Sequence, residues 1–176
     1  MRKNNEGFTM VELIIVIAIM AVLLSFFVSN IGYVTGSAVR GCAKSIKTGL
    51  SEVRVKTMGK SETLFCLYRG SDGYYIVHCV DGVTEGAEKC GRSDLTIRYY
   101  TASNPTVAQT VTNGAPLVVG FDRANGAIDT GLSANVNIEV SSVSVTAVDC
   151  NRIEVVGGGK TEEFMISTVT GKVYSD

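Results

Sequence analysis

Residues 13–28 are apolar except for Ser25, and they follow a short leader that carries Arg2 and Lys3 and ends at Gly7. With residues 8–11 added, the apolar stretch reaches about 20 residues, the length a helix needs to cross a bilayer. The positive-inside tendency places the end with Arg2 and Lys3 in the cytoplasm and the rest of the chain on the far side. A cleaved secretory signal would show a small-x-small site after its apolar core. Here that region reads Ser25, Phe26, Phe27, Val28, Ser29, Asn30, without such a site. A plain membrane anchor accounts for the length and the flanks but leaves Glu12 unexplained. An ionised carboxylate in hydrocarbon is costly and is normally paired or functional. Cleavage between Gly7 and Phe8 would create a suitable partner, the new amino terminus of a neighbouring subunit.

The run Gly7, Phe8, Thr9, Met10, Val11, Glu12, Leu13 resembles the class III signal of type IV prepilins and type II secretion pseudopilins. The resemblance implies that a prepilin peptidase cuts after Gly7 and that the exposed Phe8 is N-methylated. It also implies that Glu12 pairs with the terminal amine of an adjacent subunit during assembly. The implied partners are other pilin or pseudopilin subunits in a helical filament, the prepilin peptidase and N-methyltransferase, an inner-membrane assembly platform, and the lipid bilayer before assembly. The implied location is the cytoplasmic (inner) membrane, single-pass with a cytoplasmic N-terminus, and then an extracytoplasmic pilus or pseudopilus.

Beyond the leader the chain is long enough for one small domain, since it has 176 residues in all. Net charge is −1 and no block of like charge stands out, so nucleic acid is not an expected partner. Lys44, Lys47, Arg54, Lys56 and Lys60 do cluster after the membrane segment, and they read as the solvated face of a helix. Five cysteines, Cys42, Cys66, Cys79, Cys90 and Cys150, fall in the part expected to be exported, where disulfides are permitted. The odd number leaves at least one unpaired. Cys66 with Cys79, on consecutive strands, and Cys79 with Cys90, around a loop, are both candidate bridges; some of the five also suit the role of small buried hydrophobes.

After Asn30, apolar residues recur at Val34, Ala38, Val39, Cys42, Ile46, Leu50 and Val53, in steps of three and four that mark one face of a helix. Arg40, Lys44, Lys47, Glu52 and Lys56 fall on the other face, and the helix is expected to end near Gly59. Gly32, Gly36, Gly41 and Gly49 weaken it, by roughly 1 kcal/mol each relative to alanine. From Glu62 the period changes to two. Leu64, Cys66 and Tyr68 alternate, Gly70–Gly73 turns, and Tyr75, Val77 and Cys79 alternate again, which predicts a β-hairpin. Asp81, Gly82 and residues 85–91 read as a polar loop, 95–100 as a strand and 101–115 as a surface loop. Residues 117–121 and 127–129 flank Asn125-Gly126, a strong hairpin signal. Val136, Ile138 and Val140 alternate, and the phase then slips at Ser141-Ser142, which predicts a bulge or bend. Residues 152–156 and 163–167 read as strands around Gly157–Gly159, and 172–174 as a last short strand after Thr170-Gly171.

The expected fold is α+β: a long N-terminal helix, half membrane-spanning and half amphipathic, packed on an antiparallel β-sheet domain. The expected divisions are a leader at 1–7, a transmembrane or filament-core helix at 8–30, an amphipathic helix at 31–59 and an extracytoplasmic β domain at 60–176. The segment from Phe164 to Val173, and the passage from residues 50–54 into the strand at 64–67, are similar to minor pilins and pseudopilins of the GspH/FimT-like group.

No set of residues converges on catalysis. Gly157, Gly158, Gly159, Lys160 and Thr161 suggest a phosphate loop, but Glu154 stands where that motif needs its first glycine. His78 is the only histidine, and its strand neighbours Val77 and Cys79 point to the opposite face. Cys-x-x-Cys spacing and an EF-hand pattern are both missing, although Asp72, Asp81, Glu85 and Asp122 are turn or loop carboxylates. The expectation is therefore a structural subunit, a minor pilin or pseudopilin, with no catalytic residue, no metal and no cofactor. The alternative is a filament-borne binding module such as a DNA-capturing pilin, although the C-terminus from Lys172 to Asp176 holds only one basic residue.

Overall fold

The computed structural model describes residues 8–59, 61–138 and 141–175, with the side chains of 26–35 and 137–142 outside the description. The leader, Lys60 and Val140 thus lie outside the described residues, as do the side chains of the expected apolar run beyond Ser25. The chain divides into two compact units, Met1–Val34 and Thr35–Asp176.

Helix α1 covers Met10–Met58. Phe8, Thr9 and the helix as far as Ser25 are all exposed. Within the second unit its buried apolar side chains are Val39, Cys42, Ala43, Ile46, Leu50 and Val53, the three-and-four spacing read from the sequence with Ala43 added and with Ala38 only half-buried. Thr57 ends this stripe. Its hydroxyl donates to the Val53 carbonyl at 2.9 Å and to the Thr63 carbonyl at 3.2 Å, which ties the end of the helix to the first strand.

Among the described residues twelve strands follow: β1 Thr63–Arg69, β2 Gly73–Val80, β3 Val83–Thr84, β4 Glu88–Arg92, β5 Thr96–Thr101, β6 Gln109–Thr110, β7 Leu117–Gly120, β8 Ser133–Ile138, β9 Ser141–Thr146, β10 Cys150–Gly157, β11 Lys160–Ile166 and β12 Val173–Tyr174. Every pairing among them is antiparallel. One sheet runs β3-β2-β1-β7 with β4 also on β2, a second runs β12-β11-β10-β5-β6, and β8 with β9 forms a third, two-stranded sheet. The class is α+β.

The main core lies where α1 meets both five-stranded sheets. Ile46, Leu50 and Val53 of the helix join Phe65, Leu67 and Tyr74 of the first sheet and Ile97, Ile153, Val155 and Phe164 of the second. A smaller core lies on the other face of the first sheet, where Leu64, Cys66, Tyr68, Val77 and Cys79 meet Val136 and Val145 of the β8–β9 hairpin. Strand β1 is therefore buried on both faces, from Thr63 to Tyr68.

Four expectations need correction. Asp81 and Gly82 are a tight turn rather than part of a loop. Both have positive φ, 49° and 81°, the pairing a two-residue hairpin turn needs, and they connect β2 to β3. The stretch 85–91 supplies β4, an edge strand on β2, and the loop 101–115 contains β6, an edge strand on β5. Edge strands with few apolar residues carry little alternation, so period-two reasoning passes over them. The slip at Ser141-Ser142 is neither bulge nor bend within one strand. The chain reverses, and Ile138 pairs with Ser141. A reversal changes the phase of alternation just as a bulge does.

At Asn125-Gly126 the chain does turn back, with Phe121 bridging to Ile128. The loop is longer than two residues, and the Asp122 amide donates to the Ala127 carbonyl at 2.8 Å. Gly158 and Gly159, with φ of 54° and 73°, form the two-residue turn between β10 and β11, where Gly157 pairs with Lys160. That hairpin disposes of the phosphate-loop reading, which requires a helix after the glycines.

Candidate functional site

The site is the start of α1. Thr9 is the helix N-cap, and Glu12 stands three residues on, in the Thr-x-x-Glu spacing of a capping box. The Glu12 amide donates to Thr9 Oγ1 at 3.2 Å. In return the Thr9 amide and the Thr9 hydroxyl each donate to Glu12 Oε2 at 2.9 Å. The first main-chain bond of the helix, from the Leu13 amide to the Thr9 carbonyl, is 3.2 Å long. Donors at the start of a helix have no partner within it, and these reciprocal bonds satisfy two of them. A carboxylate in the first turn also complements the positive end of the helix dipole.

The sequence reading missed this second role of Glu12. Its signal was visible as Thr9 followed three residues later by Glu12 before an apolar run. The carboxylate is thus held at the helix start, next to Phe8, whose side chain is 85% exposed. A new amino terminus created at Phe8 would lie one residue before the cap. Gly7 lies outside the described residues.

After the cap, the helix offers large apolar side chains on every side. Leu13, Ile14, Ile15, Val16 and Ile17 are consecutive, so they point around the full circumference, and each is at least half exposed, from 50% for Val16 to 64% for Ile14. A helix that is apolar all round belongs in a protein core or a membrane. Among the described residues no helix is long and apolar enough to cross a membrane. The expected span, residues 13–28, extends past Ser25 into side chains outside the description.

The other candidate residues lie elsewhere. Cys66, Cys79 and Cys90 are free thiols, as are Cys42 and Cys150. Cys66 faces Val77 across the β1–β2 ladder and Cys79 faces Leu64, so these two cysteines are diagonal neighbours. Diagonal neighbours sit roughly 7–8 Å apart, whereas a disulfide needs Cα atoms within about 4.4–6.8 Å. Cys79 belongs to the smaller core and Cys90 packs against the main one, so they lie on opposite faces of the first sheet. Neither candidate bridge is formed.

The basic residues of the helix are not simply solvated. Arg54 Nε donates to the Thr170 carbonyl at 2.8 Å and to the Gly126 carbonyl at 3.3 Å. Lys56 Nζ lies 3.2 Å from Glu52 and 3.5 Å from Glu85. Lys47 Nζ stands 5.2 Å over the Phe164 ring. Lys60, the last of the expected cluster, lies outside the described residues.

His78 packs under the helix. Its Nε2 is buried without a hydrogen-bond partner among the described residues, and its Nδ1 is 4.0 Å from Glu85. Burial lowers its pKa from the ordinary 6.5, with Lys56 acting the same way and Glu52, Glu85 and Glu88 opposing it. Folding therefore favours the neutral ring. As pH falls through 6.5, the unfolded chain binds a proton before the folded one does, so stability should drop below that pH. We expect the melting temperature of the full chain in detergent to fall by a few degrees at most over that window, and His78→Gln to flatten the fall. An equal fall in the variant would remove His78 as its cause.

Among the described residues, no group of three or more histidine, cysteine, aspartate or glutamate side chains could hold a metal ion. The chain matches no curated protein and no solved structure. Residues 2–28 match the prokaryotic N-terminal methylation motif, a stretch that includes Gly7, Phe8 and Glu12. That motif implies processing by a prepilin peptidase, anchoring in a membrane and assembly with other pilins. The capped, apolar helix start lies inside this motif, so the chain carries the class III prepilin signal, a signal consistent with a type IV pilin-like protein.

Proposed function

We propose that this chain is a structural subunit, a minor pilin or pseudopilin, and not an enzyme. It crosses the inner membrane once through residues 13–28, is cut after Gly7, and is extracted into a helical filament. One observation carries this reading: every residue from 8 to 25 is exposed in the single chain, although nearly all of them are apolar. Burying a large aliphatic side chain is worth about 1.5–3 kcal/mol, so such a segment needs a cover. A bilayer provides it first, and the matching helices of other subunits provide it after assembly. In the filament, Glu12 exchanges its Thr9 partners for the amine of a neighbour, an ion pair that offsets the cost of burying a carboxylate. The second unit then stands on the extracytoplasmic side. The closing segment around Thr170 and Gly171 supports placement in the GspH/FimT-like group.

Intact-mass spectrometry of the protein recovered from its native membrane tests the reading. The expected mass is that of a chain beginning at N-methylated Phe8. Retention of residues 1–7 in a host with an active prepilin peptidase would make this an ordinary anchored protein.

A further inference from the structure

Cys42 lies on the buried stripe of α1 and is 1% exposed, while Cys90 lies on β4 and is half-buried against the same core. Both cysteines line one groove at the helix–sheet junction, where the backbone of Gly91, next to Cys90, lies against the Cys42 sulfur. Gly91 makes this approach possible. A Cβ on that residue would lie 2.8 Å from the Cys42 sulfur, so any larger side chain beside Cys90 would push the helix sulfur away. The pair is also reachable, because a groove lined by Gly41, Cys42, Ser45, Lys89, Cys90 and Arg92 opens above it. We propose that Cys42 and Cys90 are a dithiol pair that closes to a disulfide on meeting a disulfide oxidant, fastening α1 to β4.

The other three cysteines differ in kind. Burial pushes the Cys66 and Cys150 thiols up to about 12, and burial also raises Cys79, so these three stay protonated and inert. In the pair, the hydrogen bond from Cys90 lowers the Cys42 thiol below its ordinary 9.0, which supplies a thiolate more readily. The same contact raises Cys90, which keeps its proton longer.

The step balances with oxidised glutathione as the oxidant. A thiolate of the pair attacks the glutathione S–S bond, forms a mixed disulfide and releases one glutathione thiolate. The second thiolate then attacks the protein-side sulfur and expels the other glutathione. The pair loses two electrons, the oxidant gains them, and the two thiol protons go to the two released glutathiones. In an extracytoplasmic compartment, where disulfides persist, the closed form would dominate.

The test uses the purified full chain in detergent, incubated with oxidised glutathione, quenched with N-ethylmaleimide and mapped by peptide mass spectrometry. The expected result is a peptide linking Cys42 to Cys90, with the other three cysteines alkylated once the chain is unfolded. Its intact mass before alkylation is lower than that of the reduced chain by two hydrogens. The linked form should melt roughly 10 °C above the reduced form, because a long loop is closed. Cys42→Ser and Cys90→Ser should each abolish the link and leave a glutathione adduct on the remaining partner. In the unsubstituted chain, alkylation of all five cysteines, a glutathione adduct on Cys42 or Cys90 without the link, or a bridge joining a different pair would overturn the proposal. None of these readouts depends on cleavage after Gly7 or on export, so failure here and failure of the pilin reading are distinct results.

Discussion

Glu12→Val should leave insertion into the membrane intact and reduce incorporation into filaments by about tenfold or more, the scale of one lost charge-assisted hydrogen bond. Valine extends the apolar run, so insertion loses nothing. What is lost is the carboxylate, which has one observed duty and a second that is proposed. One is local, the capping box with Thr9. The other, proposed here, is the pairing with a neighbour's amine. Glu12→Gln distinguishes them, because glutamine at this position can still accept from the Thr9 amide but carries no charge. Thr9→Ala does the reverse, removing the cap hydroxyl while keeping the carboxylate. We expect Glu12→Gln to assemble poorly and Thr9→Ala to assemble nearly as well as the parent, read by immunoblot of sheared filaments against the membrane fraction. Normal assembly of Glu12→Gln with failure of Thr9→Ala would reduce Glu12 to a helix cap.

Gly171→Ala should be among the most destabilising single changes in the second unit. Gly171 has φ of 63°, a left-handed conformation that costs other residues roughly 1–2 kcal/mol. An added Cβ would also run into the Gly126 carbonyl oxygen and come within 2.9 Å of the Phe121 ring. Neither neighbour can yield easily. Phe121 is 1% exposed, and the Gly126 carbonyl accepts from Arg54, which also holds the Thr170 carbonyl. The combined loss should be roughly 3–5 kcal/mol, lowering the melting temperature by about 10 °C. Gly159→Ala is the control. Its φ is 73°, but open space surrounds its Cβ position, so only the backbone cost of roughly 1–2 kcal/mol applies. Equal losses in the two variants, measured by thermal denaturation in detergent, would show that the close packing of the two turns contributes nothing.

Legibility in the sequence followed the range of the interaction. The buried stripe of α1 and the hairpins β1–β2 and β10–β11 rest on residues within a few positions of one another and were legible in outline, although Ala38 is only half-buried, Ala43 was passed over and β11 begins at Lys160. The edge strands β4 and β6 were not, because their pairing partners rather than their own residues make them strands. The reversal between β8 and β9 left a phase slip in the sequence, but alternation alone does not separate a reversal from a bulge. At the candidate site the residue types and their order were legible. The bond from Thr9 to Glu12 was equally local, and its capping-box signature was overlooked.

Local chemistry in the first residues was enough to specify a helix start, a carboxylate beside it and an apolar segment that needs cover, because each depends on neighbours one turn away. Which face of a strand is buried depends on what the rest of the chain brings to it. Alternation in β1 marked Leu64, Cys66 and Tyr68 as one face, yet Phe65 and Leu67 are buried as well, under α1. Two layers cover that strand, and only their packing decides it. The same holds for Cys42 and Cys90, far apart in the chain and brought to one groove because α1 packs against Gly91 of β4, and for Arg54, which read as a solvated cation and instead joins two turns. Contacts between distant segments arise from the closing of the core, and no short window of residues encodes them.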